Sequence, residues 1–123
     1  MASRLVSDAL SLINAAREEL ELEPLRRLPK GIRQNAFHCP LSRALDGLPV
    51  LEDVVMLESD TGALALARAW GNPCRWNHDA GVWEVELPDV LRRFVAVFDR
   101  GGLPELVDRR SIRRPTNRRP TNR

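Results

Sequence analysis

The sequence predicts a small α+β domain followed by a basic tail. Three segments carry apolar residues at helical spacing, two shorter stretches around Val50 to Leu57 and Cys74 to Leu87 read as strands, and the last fifteen residues are arginine-rich with almost no apolar content. A chain of 123 residues fits one domain, because dividing it would leave each half too little surface to bury. The apolar fraction of 43% excludes wholesale disorder, and the absence of tyrosine beside three Phe and three Trp points to a mostly aliphatic core.

Leu5, Ala9, Leu12, Ile13, Ala16 and Leu20 recur at helical spacing with Arg4, Asp8, Ser11 and Glu19 between them, which predicts an amphipathic helix over residues 3 to 21. Its last turn and the residues beyond it are acidic (Glu18, Glu19, Glu21, Glu23), opposing the negative end of the helix dipole, so a basic group is expected nearby. Arg26 and Arg27 are the local candidates and the arginine-rich end the distant one. Pro24, Pro29 and Gly31 make residues 24 to 38 a connection. Between Cys39 and Gly47, proline follows a capping position and glycine closes the segment, which predicts a short helix with Cys39 at its N-cap.

VLEDVVML, residues 50 to 57, is rich in β-branched side chains and too short for a helix, so it reads as one strand. Asp60 or Thr61 then caps a helix whose inner face is Ala63, Leu66, Ala67 and Trp70, and Gly71 with Pro73 ends it. Residues 74 to 87 read as a hairpin turning around Asn77 to Gly81. Trp83, Val85 and Leu87 alternate with polar neighbours, and Trp76 pairs with Trp83 across the ladder. Pro88 and Asp89 open a last helix in which Leu91, Phe94, Val95 and Phe98 share a face; these are expected at the core's centre with Leu12 and Ile13. Gly101 and Gly102 stop it, and Leu103 to Val107 adds one turn packed on the body. The expected architecture is a three-stranded sheet with the first and last long helices on one face, a single domain over residues 1 to 108 and a flexible tail over 109 to 123.

That tail holds Arg109, Arg110, Arg113, Arg114, Arg118, Arg119 and Arg123 and no acid, and Arg-Arg-Pro-Thr-Asn occurs twice in succession. The remaining 12 basic residues face 17 acids, so the body carries −5 and the basic isoelectric point belongs to the tail. Arginine pairs in an extended segment suit phosphates or an acidic partner, giving affinity without base specificity. No aromatic is interleaved with them, so base stacking by the tail is not expected.

CPLSRAL (39 to 45) and LPDVLRRFVAVFDRGGLPEL (87 to 106) resemble small proteins of actinobacteria and their phages, a group without a settled function. The resemblance implies a bacterial or phage-infected cytoplasm and transfers no catalytic residue.

The two cysteines and two histidines fall into two clusters, His38-Cys39 and Cys74-x-x-x-His78, the ligand types of a Cys2His2 zinc site, although adjacent His38 and Cys39 are poorly placed to reach one tetrahedral ion. Cys39 at a helix N-cap also reads as a reactive thiol with His38 or His78 as base, because the dipole favours thiolate. Two cysteines are too few for a secreted disulfide scaffold, and no apolar run is long enough to cross a bilayer, so a cytoplasmic protein without membrane contact is expected. No phosphate-binding glycine loop, H-E-x-x-H or G-x-S-x-G occurs. Three readings follow. The first is a non-enzymatic accessory or regulatory protein that binds a partner protein, with no cofactor and an electrostatic tail. The second is a small nucleic-acid-binding protein that uses the tail on phosphates, and the third is a zinc- or thiol-dependent protein centred on Cys39 and Cys74.

Overall fold

The computed structural model describes residues 2 to 109. Helix α1 (Ala2–Glu19) buries Ala9, Ile13 and Ala16 completely, the stripe its periodicity predicts. It closes with two crossed backbone bonds, Leu22 N to Arg17 O at 2.7 Å and Glu21 N to Glu18 O at 3.0 Å, which place Glu21 in the left-handed region at φ 62°. Helix α2 (Pro40–Ala44) closes the same way, with Gly47 N on Ser42 O at 2.8 Å, Asp46 N on Arg43 O at 3.3 Å and Asp46 at φ 63°. Both helices thus put a carboxylate where glycine is favoured by backbone sterics and a cation by the dipole. Glu21→Gly and Asp46→Gly are each expected to raise stability by about 0.5 to 1 kcal/mol, read as a shift of the urea midpoint at constant slope; a loss from either would show that the carboxylate itself holds the turn.

The sheet has four strands where the sequence suggested three. Residues 50 to 57 fold back on themselves as β1 (Val50–Leu51) and β2 (Val54–Leu57), around a turn at Glu52-Asp53 in which Glu52 takes φ 57°. A two-residue hairpin usually advertises itself with Asn or Gly; Glu-Asp carries no such mark, so the run reads as continuous. With β3 (Cys74–Asn77) and β4 (Val82–Glu86) the order is β1-β2-β4-β3, antiparallel throughout. The register aligns Val50, Val55, Val85 and Cys74 in one row and Leu57, Trp83 and Trp76 in the next, both on the face turned to the helices. Trp76 and Trp83 meet edge to face at 5.4 Å, as the hairpin alignment predicts.

Helix α3 (Asp60–Trp70) is capped by Ser59, whose Oγ accepts from Gly62 N at 3.0 Å, rather than by Asp60 or Thr61. Asp60 is instead engaged by Trp83 Nε1, which donates to its Oδ1 at 2.6 Å. Gly71 at φ 69° ends the helix. Of the helices, α3 has the most extensive contact with the sheet, and α1 lies across α3 and α4 (Asp89–Asp99). The expected pair of covering helices is therefore incomplete. Trp70 Nε1 fixes the α1–α3 crossing by donating to Leu12 O at 2.9 Å.

Leu91, Phe94 and Phe98 of α4 are buried with Ile13, Leu41, Leu45, Leu66 and Leu87, whereas Val95 and Leu12 lie half-buried at the edge of this core. The long connection is stitched rather than loose. Asn14 bonds both backbone groups of Leu25, at 3.0 and 2.8 Å. Gly31 N donates to Leu106 O at 2.8 Å beside the 3-10 turn Pro104–Leu106, and Asp108 N returns to Gly31 O at 2.9 Å. Arg33 stacks 4.8 Å over the Phe98 ring and donates to the Gly102 carbonyl at 2.8 Å.

Candidate partner-binding groove

The C-terminal ends of α1 and α2 meet the end of β2 and the first turns of α3 around an open groove of about 920 Å³. Its floor is made by buried Leu45, Leu57 and Ala65, and its walls by Leu20, Leu22, Phe37, Leu48, Met56 and Val82. Phe37 is 60% exposed, yet its backbone is held: Asn35 Oδ1 accepts from Phe37 N at 3.0 Å and from His38 N at 3.1 Å, and Ser42 Oγ donates to Phe37 O at 3.0 Å. The ring therefore stands in water on a fixed support.

The rim is acidic. Glu19, Glu21, Asp46 and Glu58 surround the opening with Arg68 as the counter-charge. Arg68 Nε pairs with Glu19 at 3.3 Å, so the basic group expected beside the acidic end of α1 comes from α3 and not from Arg26 or Arg27. Glu21, Asp46 and Glu58 form no ion pair among the described residues.

The structure places the residues singled out by sequence elsewhere. Cys39 caps α2 as predicted, with its Sγ accepting from Ser42 N at 3.3 Å, but it is 4% exposed. Burial pushes the thiol pKa up, and the backbone N–H groups of Ser42 and Leu41 act in the opposite direction without prevailing. The one short helix behind it supplies too little dipole to reverse the desolvation. Alkylation of the folded protein is therefore expected at half-buried Cys74, with Cys39 protected until the protein opens; equal labelling of both, read by mass spectrometry, would contradict this burial. Because burial raises the folded-state pKa above the unfolded one, the protein loses stability as pH rises from the unfolded value of this thiol towards the folded one, and the thiol has no such effect at lower pH.

Cys74 lies on β3, and Cys39 shares a small hollow of about 310 Å³ with Val50 of β1, the opposite edge strand. Three strand spacings, about 14 Å, separate those edges. His38 and His78 are exposed, and among the described residues no group of three or more His, Cys, Asp or Glu is arranged to hold a metal ion. Arg109 is exposed beside the Arg43–Asp108 pair at 3.0 Å, whereas Arg110, Arg113, Arg114, Arg118, Arg119 and Arg123 lie outside the described residues. No helix among the described residues is long and apolar enough to cross a membrane.

No family model, curated protein or solved structure matches this chain. The functional reading therefore rests on the groove itself. Sequence reasoning missed it because its walls come from residues near positions 20, 37, 48, 56 and 82, none of which forms a local motif. Two signals were present: an aromatic residue in a polar loop, and carboxylates immediately beyond two helix ends.

Proposed function

We propose that this protein is a non-enzymatic accessory or regulatory module whose body binds a segment of a partner protein in the groove between α1, α2 and α3. One observation carries the reading: a large aromatic side chain, Phe37, is held out in solvent by its own loop at the mouth of an apolar groove. Leaving 60% of such a ring exposed forgoes about 1 to 2 kcal/mol of burial, which a bound partner recovers. A groove bounded by helix ends and floored by aliphatic side chains fits peptide recognition by apolar anchors. The arginines beyond Asp108 add electrostatic contact with acidic groups outside the segment that enters the groove and act mainly on the rate of encounter.

The test is enrichment of partners from the native cell on the full chain and on its Phe37→Ala variant, followed by titration of the recovered protein with both purified forms. At least a ten-fold loss of affinity is expected, since an aromatic anchor in an interface centre contributes on the order of 2 kcal/mol. Equal affinity for the two forms would remove the groove from the interface.

A further inference from the structure

Resting on that reading, we infer that the occupant is a basic amphipathic segment, with two or three apolar side chains on one side and Lys or Arg beside them. The floor sets the first requirement, since Leu45, Leu57 and Ala65 offer a seated side chain no polar partner. The rim sets the second. Arg68 neutralises Glu19, leaving Glu21, Asp46 and Glu58 as a net charge of −3 around the opening. Glu21 lies just past the end of the 18-residue α1, so the carbonyl end of that helix adds to the same negative potential. Apolar walls of low polarisability sharpen that field in the groove.

Charge and side-chain chemistry discriminate between occupants. The chain's own residues 110 to 123 match the rim with six arginines, but Ile112 is their one aliphatic side chain apart from two prolines, so they match the floor poorly. A second copy docking the same face would set Glu21, Asp46 and Glu58 against their own counterparts, which symmetric pairing penalises. A separate protein that presents apolar anchors flanked by cations satisfies both.

The probe is a display library of random 14-residue peptides selected on the immobilised full chain. Selected peptides are then titrated against the wild type, Phe37→Ala, and a triple variant Glu21→Asn, Asp46→Asn, Glu58→Gln. Asparagine tolerates the left-handed backbone, so the triple variant keeps its turns, which circular dichroism and the melting temperature verify. Enriched peptides should combine at least two apolar residues with at least two Lys or Arg, lose ten-fold or more in affinity to each variant, and weaken as salt rises from 50 to 500 mM. Apolar, uncharged peptides that need Phe37 but ignore the triple variant would overturn the basic requirement while leaving partner binding in place. Peptides indifferent to Phe37 would overturn both. A synthetic peptide of residues 110 to 123 that displaces the selected peptides from the full chain at equal or better affinity, and loses that binding in Phe37→Ala, would give the groove to the chain's own tail and overturn the separate partner.

Discussion

Phe94→Ala is expected to destabilise the protein by about 3 to 5 kcal/mol, a large share of what a domain of this size holds in reserve. Phe94 is fully buried on the inner face of α4, and Leu91 one turn before it and Phe98 one turn after are buried with it. Truncation removes the ring's transfer free energy and opens a cavity among side chains fixed by two helices and a sheet, which cannot collapse to fill it. Urea denaturation should show a much lower midpoint at an unchanged slope. A cost below about 1 kcal/mol would mean that this face of α4 is not the centre of the core.

Gly31→Ala is expected to cost roughly 3 kcal/mol or more, at the upper end of overpacking effects. A methyl group there would stand 2.6 Å from the Cys39 carbonyl carbon and 2.6 Å from His38 O, and would also overlap Pro40 N. Those are backbone atoms at the start of α2, so no rotamer change relieves the contact. The same residue anchors the C-terminal segment through Leu106 O and Asp108 N, so any shift propagates to both. Its φ is not positive, and the requirement for glycine is one of space alone. The melting temperature should fall by more than 10 °C, given about 4 to 8 °C per kcal/mol in small domains. A variant within two degrees of the wild type would show that the connection and α2 are not in close contact.

The regular elements were legible because each repeats a local signal. The stripe Ala9, Ile13 and Ala16, the Pro40 entry into α2, the Gly71 stop and the Leu91-Phe94-Phe98 face are all written within one or two turns. The Glu52-Asp53 turn was not, because its left-handed residue is a glutamate. Glu21 and Asp46 share that property, and the same departure from glycine that obscures the turn places charge at the groove. Gly31 was read as a breaker of regular structure when its role is to let two backbones touch, a fact that depends on residue 39 lying across from it. The candidate site was the least legible part: exposure of Phe37 follows from the tertiary arrangement, and of the cysteines that drew notice in sequence one lies on edge strand β3 and the other beside the opposite edge strand β1.

The most direct test of the groove is amide chemical-shift mapping of the isotope-labelled full chain as the purified partner is added. Binding in the groove predicts that the largest changes gather at Leu20, Leu22, Phe37, Asp46, Leu48, Met56 and Val82, with Lys30 and the rest of the hollow by Arg109 unmoved. Changes centred on Lys30, Arg43 and Arg109, or on the outward sheet face around Leu51 and Arg75, with the groove silent, would contradict it.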